Sequence, residues 1–145
     1  MGCDIHTVLE RRVGDKWITV DTLLGMYAPS LRSEVFQWAQ PYIEQRNYEL
    51  FADMAGVRGD GPEPRGLPDD LSETAAYLAK QWEGDGHSHS WLPIQEVTVL
   101  LSKYNQDGFG KRHEVAGYYF NIATEPGETY EEAVDAHRLV FWFDN

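Results

Sequence analysis

The chain has 145 residues, 42% of them hydrophobic, with 12 Lys and Arg against 24 Asp and Glu and a formal net charge of -12. That is enough chain for one domain with its own core, expected over 1–145, and its charge repels a polyphosphate backbone, which excludes generic nucleic-acid binding. Mean hydropathy is -0.50, and no apolar run approaches the ~20 residues a bilayer requires, so no membrane partner is expected.

The first residues carry no basic region followed by an apolar stretch, so no secretory signal is read there. Met1-Gly2-Cys3 has the start of an acylated protein, but His6 stands where a myristoylation signal wants Ser or Thr. Cys3 is the single cysteine, which removes the disulfide-scaffold class and fits a reducing, cytoplasmic compartment. Residues 4 to 13 alternate, with Asp4, His6, Val8 and Glu10 on one face and Ile5, Thr7, Leu9 and Arg11 on the other. A strand is predicted, then a tight turn at Gly14-Asp15 and a second strand from Lys16 to Thr22. Pairing Val13 with Lys16 sets Leu9 opposite Val20, Arg11 opposite Ile18, and Arg12 opposite Trp17 in a cation–π contact.

Val35, Trp38 and Ala39 suggest a short amphipathic helix interrupted by Pro41, and Tyr48, Phe51, Ala52 and Ala55 a second one ending at Gly56. Gly56 to Pro68, with four glycines and three prolines, is a loop. Asp70 as N-cap and Glu73 in a capping box open a helix that buries Ala75, Leu78, Ala79 and Trp82. Gly84 to Ser90 reads as a polar turn, and Pro93 as the opening of a helix carrying Ile94, Val97, Leu101 and Tyr104. Strand stays an alternative there because of the β-branched residues. Asn105 to Gly110 reads as a turn, Tyr118 to Ile122 as a strand and Glu125 to Glu128 as a turn. Arg138 to Asn145 is aromatic and β-branched enough to be a central strand beside the first hairpin. The fold expected is α+β: a small, mostly antiparallel sheet built from the N-terminal hairpin and the C-terminal strand, with helices packed on one face, that of Leu9, Ile18 and Val20.

Four clusters carry chemistry. Asp4 and His6 project from one strand face about 7 Å apart, and His87 and His89 form a second pair with the same spacing. Together the four would make a nitrogen and oxygen set suited to a divalent metal, zinc or manganese. The plain alternative is a hydrogen-bonded His6, with Ser88 or Ser90 capping the next helix. Arg46-Asn47-Tyr48 offers a guanidinium fork and an aromatic wall to an anion, unless Asn47 only caps a helix. Pro64 to Asp70 holds Arg65 and Asp69 in a proline-stiffened loop, though a helix start explains the aspartates equally. No GxSxG, HExxH, CxxC, Walker or dinucleotide-binding pattern occurs, and Cys3, so near the chain start, is a poor nucleophile candidate, with a Cys3–His6 pair left as the open alternative.

Met1-Gly-Cys-Asp-Ile-His6, Arg46-Asn-Tyr-Glu-Leu-Phe51, Arg65-Gly-Leu-Pro-Asp-Asp70, His87-Ser88, Ser90-Trp-Leu92 and Phe141-Trp-Phe-Asp-Asn145 together resemble a family of small bacteriophage-encoded proteins with no assigned activity. The resemblance implies a context, the cytoplasm of an infected bacterium, and no catalytic residues. Within it, Arg46, Asn47, Tyr48, Arg65, Asp69, Ser88, Ser90 and Trp91 suit a small anionic, nucleotide-like ligand, which could be a sequestered host or immune signal. The alternatives are a metal-dependent phosphoesterase using Asp4, His6, His87 and His89, and an acidic protein that binds a host protein; catalysis and homo-oligomerisation stay open.

Overall fold

The computed structural model describes residues 2–20, 23–28, 33–38, 43, 46–106, 122 and 124–145. Strands β1 (Asp4–Val13) and β2 (Lys16–Thr19) form the expected hairpin, with Arg11 opposite Ile18 and Val13 opposite Lys16. Gly14, at φ 64, takes the left-handed conformation that the turn requires. The hairpin tip runs past the core: Val13 and Ile18 are exposed, so Ile18 does not join Leu9 in the interior. Arg12 gives its Nε to the Gly14 carbonyl, and the cation over the Trp17 ring is Arg138, 4.0 Å from the centroid.

The α+β expectation holds. The sheet runs β2-β1-β6-β5, antiparallel throughout, with β5 at His87–Pro93 and β6 at His137–Asp144. β6 is central, and seven of its eight residues are buried. Such a strand reads as an unbroken apolar run because both faces are covered. Helices accordingly lie on both faces and not on one. Leu9, Leu139, Phe141 and Phe143 pack with α1 (Tyr48–Ala55), α3 (Ile94–Gln106) and Ala133 of α4 (Tyr130–Asp135). Val8, Val140 and Trp142, one register position away, pack instead with Ala75 and Ala79 of α2 (Glu73–Gln81).

Several boundaries differ from the sequence expectation. Residues 33–38, expected as helix, form strand β4 (Ser33–Trp38), paired antiparallel with β3 (Leu23–Ala28) in a separate two-stranded sheet. Its β-branched and aromatic residues suit a pleat better than a helical turn. Asn47 does cap α1, accepting from Leu50 N, and Gly56 ends it at φ 67. Ser72, not Asp70, caps α2. Asp70 is turned instead toward Arg138 Nη1 at 2.9 Å. His87–Pro93, expected to begin as a polar turn, pairs with β6 as an edge strand and carries a bulge between His87 and Ser90. The expected strand Tyr118–Ile122 and turn Asn105–Gly110 fall largely outside the described residues; Ile122 is buried and α3 continues to Gln106.

Candidate functional site

Because the sheet is antiparallel, the start of β1, the end of β6 and the start of β5 share one edge, so the two histidine segments lie on either side of β6. His6 sits opposite Trp142, and His87 opposite Phe143. His6 and His89 both stack against the Trp142 ring, each at 6.0 Å between centroids, and His6 also meets Trp82 at 4.1 Å. His6 Nε2 donates to Asp144 Oδ2 at 2.8 Å, and the backbone N–H of Asp4 reaches Asp144 Oδ1 at 3.3 Å. Asp144 thereby orients the imidazole.

Arg46 grips Asp4 with both arms of its fork, Nε to Oδ1 at 2.6 Å and Nη2 to Oδ2 at 3.1 Å. That pairing holds the Asp4 carboxyl below its ordinary value, while Arg46 rises in turn. Gly2 lies against the guanidinium so closely that a Cβ there would overlap it. Tyr48 presents its hydroxyl to Cys3 N at 3.4 Å and its ring to Arg58, 5.4 Å from the centroid. Cys3 points into the core beneath α1, and burial pushes its thiol up.

At the bulge, His87 Nε2 donates to Asn145 Oδ1 at 3.2 Å, and Nδ1 is hydrogen-bonded with Ser88 Oγ at 3.0 Å. Ser88 takes φ 54, a conformation that favours glycine, within the register shift between His87 and Ser90. Burial, reinforced by His87, pushes His89 below the ordinary imidazole value. In the interior of this end lies the one buried side-chain polar atom without a partner among the described residues, Nε1 of Trp142, whose residue is 1% exposed.

The expected residues therefore fall into separate groups. Asp4, His6, His87 and His89 gather at one end of the sheet, but the Trp142 ring separates His6 from His89, and Asp4 is taken by Arg46. Among the described residues no three His, Cys, Asp or Glu side chains converge as a metal-holding group. Arg46 and Tyr48 belong to the same end, whereas Asn47 is spent on the helix cap. Arg65, Ser90 and Trp91 form a second group along β5: Ser90 is buried and accepts from Arg65 N, and the Arg65 guanidinium lies 5.4 Å from the Trp91 ring and 2.7 Å from Glu96 Oε2. Asp69 is exposed in the loop before α2, outside both groups.

Sequence reasoning missed Asp144, Asn145, Trp82 and Trp142 as site residues. Asp144 and Asn145 stood in plain view after an apolar run, yet only the pairing of β6 with β1 puts a carboxylate beside His6. No described helix is long and apolar enough to cross a membrane. Compared with known proteins, the chain matches no protein-family model, no curated protein and no solved structure.

Proposed function

We propose that the chain is a binding protein for a small planar, anionic molecule of nucleotide-like chemistry, held at the histidine end of the sheet. The observation that carries this reading is the buried indole N–H of Trp142, a donor without an acceptor among the described residues, set among the rings of His6, Trp82 and His89. A buried donor left unmade costs about 1–3 kcal/mol, so a ligand acceptor that reaches it gains that amount, and the rings of His6, Trp82 and His89 make its surroundings aromatic. Arg46 supplies the charge. Its pair with Asp4 is half-exposed, at 52% and 50%, so water screens it and a phosphate or carboxylate can exchange for Asp4 at small cost. The metal-dependent phosphoesterase draws no support from this geometry. The sharper form, sequestration of a host or immune signal, takes its setting, the cytoplasm of an infected bacterium, from the sequence resemblance, which implies a context and no mechanism.

The test uses the 15N-labelled full chain at physiological salt, titrated with adenosine monophosphate, a cyclic dinucleotide, adenosine and ribose 5-phosphate. The expected result is a shift of the Trp142 indole resonance, identified from the Trp142→Phe spectrum, by a nucleotide and much less by either half alone. Failure of every nucleotide to move that resonance overturns the reading.

A further inference from the structure

A cavity of about 440 Å³ opens between α1, α3 and the loop that follows α1. It is a different place from the histidine end: its wall includes Leu92, five residues along β5 from His87, or about 17 Å at ~3.3 Å per residue. Its apolar surface comes from Met54, Leu92, Val99 and Leu100. Val99 is 71% exposed, a β-branched side chain standing in water on the helix facing the loop. The size is that of an ordinary small-ligand pocket and equally admits inserted apolar side chains, so the lining and not the volume decides the occupant.

The charged residues around it decide what would enter. Asp53, Glu63 and Glu96 line it against the single cation Arg65. That arginine is already committed, with Nη2 on Glu96 at 2.7 Å and its guanidinium beside the Trp91 ring. Asp53 is held by Tyr104 at 2.6 Å and Lys103 at 3.0 Å, and those bonds keep its carboxyl below the ordinary value. Glu63 is exposed with no ion pair among the described residues. An anion entering here meets carboxylates and finds its one arginine occupied. A cation finds Glu96 and Asp53 already paired but Glu63 open to it, and the net charge of -12 draws basic partners toward the whole molecule.

From this complementarity we propose that the groove docks a segment of a partner protein that presents an apolar side chain flanked by lysine or arginine. The apolar side chain fills the space between Met54, Leu92 and Leu100, and the basic group pairs with Glu63. This site is independent of the nucleotide-like ligand: either one can fail without the other.

Two peptides with the same apolar pattern and opposite charge test it on the 15N-labelled full chain: acetyl-Leu-Lys-Leu-Leu-Arg-amide and acetyl-Leu-Glu-Leu-Leu-Glu-amide. The basic peptide is expected to shift the resonances of Met54, Leu92, Val99 and Leu100 and to bind about tenfold more tightly than the acidic one. Glu63→Gln should weaken it about threefold, and Val99→Ser should weaken both peptides. Both substitutions are at exposed positions, so the fold is kept. Equal binding of the two peptides, shifts confined to other surfaces, or indifference to Glu63→Gln overturns the proposal. Groove shifts that track protein concentration without peptide also overturn it, in favour of a second copy of this chain.

Discussion

Glu10 and Arg138 face each other across β1 and β6 on the strand face that also carries His6, Val8, Val140 and Trp142. The Glu10 side chain is 0% exposed and that of Arg138 5%, with Nε to Oε1 at 2.6 Å. The remaining valences are also met: Glu10 Oε2 accepts from Ser72 N, and the guanidinium lies 4.0 Å from the Trp17 ring and bonds Asp70. This network brings the start of α2 onto the sheet and explains why Ser72 caps the helix while Asp70 turns away. Removing one partner leaves the other buried and uncompensated, so Arg138→Met should cost about 3–5 kcal/mol. The double variant Glu10→Gln/Arg138→Met should be less destabilised than Arg138→Met alone, as read by urea denaturation at neutral pH. A loss below about 1 kcal/mol for the single variant, in the range of an exposed pair, would sink this account. From sequence, an arginine kept at the head of an aromatic strand in so acidic a chain already called for an anion or a buried carboxylate nearby; that the carboxylate is Glu10 was not legible.

The elements that local chemistry defines were legible. Asn47 and Gly56 bracket α1, and Ile94, Val97, Leu101 and Tyr104 mark the buried stripe of α3. α4 was missed although its signal, the Thr-x-x-Glu pattern, was present: Thr129 Oγ1 accepts from Glu132 N at 3.1 Å and donates to Glu132 Oε1 at 3.1 Å, capping a helix of six residues. β5 was missed because His-Ser-His-Ser is polar, and an edge strand needs no apolar run when its outer side is met by loop, as Gly66 N meets His89 O at 2.9 Å. The loop after α1 is fixed by close approach. A Cβ on Gly61 would overlap the Ala52 carbonyl and lie 3.1 Å from Gly56 N. Gly61→Ala should therefore lower stability by about 1–3 kcal/mol and displace Pro62 and Glu63 from the groove. Thermal unfolding with chemical-shift comparison checks both, and an unchanged melting temperature would show that the loop yields freely.

For the molecule as a whole, the pH response follows from groups that shift in the same direction. Burial lowers His89 and His137 from 6.5, so the unfolded chain binds more protons than the folded one just below that value, and stability falls as pH drops through it. Asp4, Asp53, Asp70 and Glu128 are lowered by Arg46, by Tyr104 with Lys103, by Arg138 and by Arg11. Their contribution is present above the ordinary carboxylate range and is lost on further acidification. The denaturation midpoint should decline in two stages, and His89→Asn should flatten the upper one; a midpoint constant from pH 7 to 5 would contradict the histidine assignment. By itself, the sequence determined the first hairpin and its register, the central character of β6, the span of α1 and the acidic surface, because these rest on local periodicity, turn residues and composition. Only the tertiary structure decided that Asp144 holds His6, that the Trp142 ring divides the histidines, that Arg138 serves Glu10 and that α2 covers the second face. Each of those depends on pairing between segments far apart in the chain, for which neighbouring residues carry no signal.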